Sequence, residues 1–227
     1  GKRPEFQDRE DTFIEDFNNA ASSQLLQLEQ FAMHAYRRPL TETERSGLRS
    51  LYESLRAKGI EHEEAFRSLI TRVLMSPSFL LHVRQGDQTP SAVTDTLPLN
   101  DWEIASRLSY FLWSSLPDAE LRQLAATGTL LEPEVLASQV RRMLRDDRAR
   151  SFAIEFGTQW IHVRGFDAFN EKNETRFPTF DDELRTAMNE EAIQFFQQLF
   201  LNNAQIDEIL NANYTFVNER LAQHYGI

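Results

Sequence analysis

The stretch NDWEIASRLSYFLWSSLPD, residues 100–118, decides the fold of this chain. Successive side chains of a helix lie about 100° apart around its axis. That spacing gives two covered sides, one formed by Ile104, Ala105, Leu108, Phe111 and Leu112 and the other by Trp102, Ser106, Ser109, Tyr110 and Trp113. Between them lie Glu103 and Arg107, at the favourable i,i+4 spacing. A helix covered on all sides is central to a sizeable domain, so the sequence predicts a buried central helix near 101–113.

The composition excludes several classes of function. The chain has 227 residues, of which 41% are hydrophobic and 26% charged, as in ordinary globular proteins. Its formal charge of −11 repels phosphate backbones and anionic lipids, so no nucleic-acid partner is predicted. No apolar run has the length of a transmembrane helix, so no membrane insertion is predicted. Without cysteine, this piece has no disulfide, thiolate nucleophile, cysteine-ligated zinc or covalently attached c-type haem.

Helical spacing and helix caps recur along the chain, whereas the alternation typical of strands never persists. The predicted fold class is therefore all-α, a bundle-like array of several helices without a substantial sheet. Turn formers and few apolar residues predict an exposed linker at 85–98, between an N-terminal helical part at 1–84 and a C-terminal helical part at 99–227. Thr41 and Glu44 have the spacing of a capping box and predict the start of a helix.

Four further helical segments are predicted after the central helix. They run from Pro117 to about Gly128, from Pro133 through an arginine-rich end, from Asp146 or Asp147 through Trp160, and from Asp181 or Asp182 to about Asn202. Residues 164–180 are predicted to be an aromatic loop that packs on a core or lines a groove. Two short helical segments are expected after them, near 206–210 and 217–224.

Glu155 and His162 form the first candidate site. A carboxylate and an imidazole two helical turns apart can bind a metal or act as an acid/base pair. The alternative interpretation is the solvated side of a helix, shared with Thr158 and Gln159, whose apolar side carries Phe152, Phe156, Trp160 and Val163. The chain has no His-Glu-x-x-His, Glu-x-x-His or His-x-x-x-His pattern, so no metal and no cofactor is predicted for this piece.

Glu191 is the second candidate. Helical spacing places it between Met188 and Phe195, inside an apolar face, whereas Glu190 points to the polar side. A carboxylate in that place must be paired, hydrogen-bonded or protonated. One interpretation is a catalytic carboxylate with a raised pKa. The other is a structural salt bridge to one of three arginines, Arg107, Arg141 or Arg142.

Several phrases of the sequence together indicate a family. They are Ala35–Thr41, Ser76–Leu80, Ala105–Ser115, Pro117-Asp118, Arg142–Asp146, Phe177-Pro178 and Tyr214–Gly226. They resemble two adjacent domain-of-unknown-function families of large secreted planctomycete proteins, one over residues 30–82 and the next over residues 98–227. These proteins often carry a c-type cytochrome module. The resemblance implies a helical fold, export to the periplasm or the extracellular space, haem elsewhere in the full-length protein, and a polypeptide that continues beyond residue 227. It supplies no catalytic residues.

Two functional hypotheses follow. The first is a non-catalytic helical scaffold or interaction module of a larger exported, redox-linked protein. Its partners would be neighbouring modules of the same polypeptide, and a carbohydrate or protein ligand held by aromatic surfaces. The alternative is part of an extracellular polymer-degrading hydrolase of the polysaccharide type, with Glu191, Glu155 and His162 as the candidate working groups. A pocket with two carboxylates about 5–10 Å apart would favour the hydrolase, since glycosidases use that separation.

Overall fold

Every regular element in the described part of the chain is helical, which confirms the all-α prediction. The structure, a computed structural model, describes residues 4–81, 98–168 and 175–227, with side chains from residue 20 onward except that of Asp167. The chain divides into two compact units, Gly1–Pro98 and Leu99–Ile227. The predicted linker at 85–98 lies outside the described residues apart from Pro98, so it stays a prediction. No helix in the described ranges is long and apolar enough to cross a bilayer.

Helices of the N-terminal unit pack around a shared apolar core. They are α1 Pro4–Tyr36, α2 Glu42–Ala57, α3 His62–Leu74 and α4 Pro77–Leu80. Leu28, Leu48 and Leu69, one from each of the first three helices, are buried together. The predicted capping box at the start of α2 is confirmed. The Thr41 hydroxyl accepts from the amide of Glu44, and the Glu44 carboxylate accepts from the amide of Thr41 at 2.9 Å.

Arg37 ties the end of α1 to the end of α4. Its backbone is left-handed, with φ of 60°, and the residue is only 7% exposed. Its guanidinium donates to the carbonyl oxygens of Ser78 at 2.8 Å, Phe79 at 3.2 Å and Leu81 at 3.0 Å. A buried arginine needs such acceptors, because an uncompensated buried charge is costly. The two N-terminal phrases of the family resemblance are thus joined by a structural side chain.

Arg38, the next residue, forms a bidentate ion pair with Glu44. Each carboxylate oxygen of Glu44 accepts from the guanidinium at 2.8 Å. The hydrogen bond from Arg38, helped by the amide of Thr41, outweighs the opposing effect of burial and lowers the pKa of Glu44 to about 2. The folded pKa therefore lies below the unfolded value of 4.5. The stabilisation is complete above that value and is lost as the pH falls towards 2.

We expect Glu44→Gln to lower the free energy of unfolding by about 0.5–1 kcal/mol near neutral pH, because it removes a partly exposed ion pair and keeps a residue that can complete the capping box. The difference in the free energy of unfolding between this variant and the wild-type chain should shrink towards zero as the pH falls to 2. Urea unfolding across this pH range measures it. Glu42→Gln is the matched control, because Glu42 lies in the same first turn and its side chain is 87% exposed. This variant should lose stability at acidic pH as the wild-type chain does.

Seven α-helices are described in the C-terminal unit. They are α5 Asp101–Trp113, α6 Ala119–Thr127, α7 Pro133–Leu144, α8 Arg150–Phe152, α9 Asp182–Asn202, α10 Glu208–Asn211 and α11 Glu219–Tyr225. A 3₁₀ turn, Asp147–Ala149, precedes α8, and a π-helix, Ala153–Thr158, follows it. The predicted span of the central helix is confirmed. The predicted start at Pro117 is wrong, because Asp118 is the N-cap of α6 and Pro117 precedes it.

Helix α5 lies in a core that it forms with α6 and α7. The buried members of this core are Ala105, Leu112, Trp113, Leu121, Ala125, Leu130, Met143 and Ala149. Trp113 is 2% exposed, and its indole N–H donates to the carbonyl oxygen of Met143 at 2.9 Å. The expectation that α5 is covered on all sides is wrong at Phe111, which is 59% exposed. The core covers one side of the helix and leaves the edge of the predicted apolar side open.

Charged side chains cover the outer face of Trp113. The guanidinium carbon of Arg148 lies 3.5 Å from the centre of the indole ring. Arg142 pairs with Asp118 at 2.7 Å, and Arg148 pairs with Asp146 at 2.7 Å. The hydrogen bond from Arg148 lowers the pKa of Asp146 to about 2. The phrases around Trp113, Asp118 and Arg142 that carry the family resemblance therefore have a structural role, which is to close the core over the indole.

Candidate functional site

One face of α9 carries the more informative candidate residue. Glu191, Phe195, Gln198 and Asn202 follow one another at spacings of three or four residues and so share this face, called here the α9 face. The non-helical segment 212–218 contacts it at two points. The hydroxyl of its Thr215 donates to Glu191, and the ring of its Tyr214 lies 5.9 Å from that of Phe195.

Glu191 is held by two hydroxyl groups. The phenol of Tyr225 donates to one carboxylate oxygen at 2.7 Å, and the hydroxyl of Thr215 donates to the other. The predicted salt bridge of Glu191 to one of three arginines is therefore wrong, and the carboxylate is partly rather than fully buried. The arginine partner belongs to its neighbour: Arg150 donates to both oxygens of Glu190, at 2.8 and 2.5 Å. That hydrogen bond holds the pKa of Glu190 below its ordinary value.

Tyr225 gives this contact a spectroscopic signature. Burial and the hydrogen bond to Glu191 raise the pKa of Tyr225 to about 12. Because the folded pKa exceeds the unfolded value of 10, the contact stabilises the fold fully below pH 10, and this contribution is lost as the pH rises through 12. We expect Tyr225→Phe to remove the tyrosine that ionises last in an ultraviolet absorbance titration. Thr215→Val is the control: it keeps the phenol beside the carboxylate and should keep the late ionisation.

Glu155 and His162 do not form a joined pair in the structure. Glu155 makes an ion pair with Arg164 at 2.7 Å, and its carboxylate is about half exposed. His162 is exposed and has a left-handed backbone, with φ of 59°, where its amide donates to the carbonyl oxygen of Gln159. No hydrogen bond between Glu155 and His162 exists in the described part of the chain. Among the described residues, no group of three histidine or carboxylate side chains lies close enough together to hold a metal ion.

The π-helix Ala153–Thr158 explains why the observed sides of this helix differ from the predicted solvated and apolar sides. A π-turn closes an i→i+5 hydrogen bond, so it holds one residue more than an α-turn and rotates everything after it. Thr158, predicted to be solvated, is 2% exposed and donates to the carbonyl oxygen of Ile154 at 2.5 Å. Phe156 and Trp160, predicted to be buried, are 45% and 50% exposed. The assignment of sides from a period of 3.6 residues is therefore wrong for these three residues, whereas Glu155, Gln159 and His162 are exposed as the solvated-side interpretation predicted.

An exposed aromatic surface results from this rotation. Phe111, Phe152, Phe156 and Trp160 form a continuous row, called here the aromatic stripe, with ring centres 4.7, 5.2 and 6.1 Å apart. Phe200 of α9 backs the row at 4.5 Å from Phe152. Three members of the stripe are 45–59% exposed. The tryptophan side of α5 offers no comparable surface, because Trp113 is buried in the core.

A cleft of about 500 Å³ opens at the C-terminal end of α9. Its lining consists of Gln198, Asn202, Asn203, Ala204, Gln205, Glu208, Tyr214 and Phe216. The phenol of Tyr214 donates to the Glu208 carboxylate at 3.1 Å, and the ring of Phe216 lies 5.9 Å from that of Tyr214 in an edge-to-face arrangement. Sequence reasoning missed this cleft, because its residues come from the end of one helix, a turn and a non-helical segment.

Two family models match the chain. The model of the PSD4 family, described as a protein of unknown function (DUF1592), matches residues 99–227, which is more than half of the chain. The chain belongs to the PSD4 family. The model of PSD5, another protein of unknown function (DUF1595), matches residues 26–83. No curated protein and no solved structure matches the chain. The resemblance to two adjacent families of unknown function is thereby confirmed.

Proposed function

We propose that the chain is a non-catalytic helical interaction module of a larger protein, and that the aromatic stripe packs against a neighbouring module of the same polypeptide. The observation that carries this proposal is the exposure of Phe111, Phe156 and Trp160 in one continuous row. Contiguous exposed apolar patches mark interaction sites, because leaving them in water is unfavourable. Aromatic side chains are also the type most enriched at interface hot spots.

The larger protein in this proposal is exported to the periplasm or the extracellular space, as in planctomycete proteins that carry a c-type cytochrome module. Since the chain has no cysteine, a covalently attached c-type haem belongs to a different module of that polypeptide. Cell fractionation of the full-length protein, followed by peroxidase staining for haem, tests this part of the proposal. Recovery in the cytoplasm, or a full-length protein without haem, would contradict it.

The hydrolase hypothesis receives less support. Of the described residues that line the cleft, Glu208 supplies the one carboxylate, whereas glycosidases use a pair. Glu191 is held by Thr215 and Tyr225 outside that lining, and Glu155 is engaged with Arg164. None of the predicted candidates therefore lines the cleft. A binding or scaffolding role fits this arrangement better than acid/base chemistry does.

Photo-crosslinking in the full-length polypeptide tests the role of the stripe. A benzoylphenylalanine at position 160 should form crosslinks to peptides of a neighbouring module. The same group at position 134, which replaces the exposed Glu134 of α7, is the matched control and should form none. The proposal is wrong if position 160 gives no more crosslinks than position 134, or if its crosslinks lead only to other proteins.

A further inference from the structure

The cleft at the end of α9 has a lining rich in side-chain amides. Four of its residues carry side-chain amides, Gln198, Asn202, Asn203 and Gln205. An amide presents both donors and an acceptor, so it can bond a hydroxyl group in either direction. Within the described residues these four amides make no side-chain hydrogen bond to the protein. They are therefore available for a ligand with several neighbouring groups that both donate and accept.

Two further residues of the lining supply a charged acceptor and an aromatic ring, which the amides lack. Glu208 contributes a carboxylate, which accepts hydrogen bonds through two oxygens, and only one of these receives the phenol of Tyr214. Tyr214 contributes an aromatic wall, and it is braced by Phe195 and Phe216, each with its ring centre 5.9 Å away. The wall is 40% exposed and offers an apolar face to a ligand that carries C–H groups on one side.

We propose that this cleft binds a neutral saccharide. A sugar ring has adjacent hydroxyls around its edge, which match the amides and the carboxylate. It also has a C–H-rich face, which matches the aromatic wall. The volume of about 500 Å³ lies within the range of ligand pockets, roughly 300–1,000 Å³, and suits a mono- or disaccharide. This proposal concerns a different surface from the aromatic stripe, so either can hold without the other.

Charge selects among sugars. The lining contains the carboxylate of Glu208 and no lysine or arginine among the described residues, and the chain as a whole carries a formal charge of −11. Uronic acids and sulfated sugars would bring a second negative charge beside Glu208 and are disfavoured. The amides could also bond a peptide backbone, and the experiment therefore includes a peptide as a separate outcome.

Saturation-transfer NMR and isothermal titration calorimetry on this chain, with cellobiose, maltose and N,N′-diacetylchitobiose as probes, test the proposal. At least one of these neutral disaccharides should bind. Glu208→Gln should weaken that binding at least tenfold, since it removes the charged acceptor and preserves the shape of the side chain. Tyr214→Ala should do the same by removing the wall, with circular dichroism as the check on folding. Tyr225→Phe, which removes a phenol outside the cleft, is the matched control and should bind as the wild-type chain does.

A comparison of glucose with glucuronic acid tests the charge argument. Glucose should bind more tightly than glucuronic acid to the wild-type chain. Glu208→Gln should make the affinities for the two sugars more similar. Absence of binding by all three disaccharides overturns the proposal, as does binding that neither cleft variant weakens. Binding of an end-blocked triglycine in preference to the sugars also overturns it. Hydrolysis of a bound disaccharide would instead overturn the non-catalytic role and leave the saccharide site in place.

Discussion

Trp113→Ala should lower the free energy of unfolding by about 3–5 kcal/mol, the range for truncating a large buried aromatic. The indole is 2% exposed and lies in the core between α5, α6 and α7. Its removal takes away apolar contacts and leaves a cavity. It also removes the indole donor from the carbonyl oxygen of Met143, which keeps the amide of Asp146 at 3.2 Å, and it leaves Arg148 without the ring beneath it. Urea unfolding followed by circular dichroism measures the loss.

Two variants separate the contributions of Trp113. Trp113→Phe keeps an aromatic ring in the core and loses the N–H donor, so its cost should be near half that of the alanine variant. Phe111→Ala truncates an aromatic on the same helix that is 59% exposed, and it should cost less than about 1 kcal/mol. If Trp113→Ala costs as little as Phe111→Ala, the tryptophan side of α5 is not the buried side and the described core is wrong.

Several helix boundaries could be predicted from the sequence because short-range chemistry sets them. The capping boxes at Thr41 and Asn100, the N-cap at Asp181 and the left-handed glycine Gly128 at the end of α6 all act within a few residues of the backbone they satisfy. The span of α5 follows from such a cap together with a sustained apolar pattern. Each of these features can be recognised in the sequence without knowledge of the tertiary structure.

Side-chain partners could not be predicted in the same way. The predicted position of Glu191 between Met188 and Phe195 required a partner for its carboxylate, and helical spacing gave no means of choosing that partner among distant residues. Thr215 and Tyr225 provide the hydroxyls, and they follow Glu191 by 24 and 34 residues. Phe111 belongs to an apolar side by spacing, yet it is exposed because the neighbouring helices cover a different arc of α5. Both outcomes depend on packing between elements.

The sequence-based prediction did not include the π-helix at 153–158, and this feature changed the functional interpretation most. It rotated Phe156 and Trp160 to the surface and produced the aromatic stripe. A π-turn leaves no period of its own in so short a segment, so hydrophobic spacing cannot reveal it. The one residue that marks the place is Gly157, whose role depends on a contact with α9.

Gly157→Ala should destabilise the chain by about 2–3 kcal/mol, within the range for overpacking a core. A β-carbon at this position would lie 2.5, 2.7 and 2.9 Å from three side-chain atoms of Phe196. Phe196 is 2% exposed and packs against Trp160 and Phe200, so it has no open space to enter. In a helix, alanine gains up to about 1 kcal/mol over glycine, which is less than the overpacking cost here.

Gly47→Ala is the matched control, because a β-carbon there meets nothing within 4 Å in α2. It should stabilise the chain by about 0.5–1 kcal/mol through helix propensity alone. The double variant Gly157→Ala/Phe196→Leu supplies the decisive test. Leucine shortens the side chain that the new methyl group meets, so the double variant should lose less stability than the sum of the two single variants. Strict additivity of the two losses in urea unfolding would contradict the close contact between the π-helix and α9, and with it the rotation that exposes the aromatic stripe.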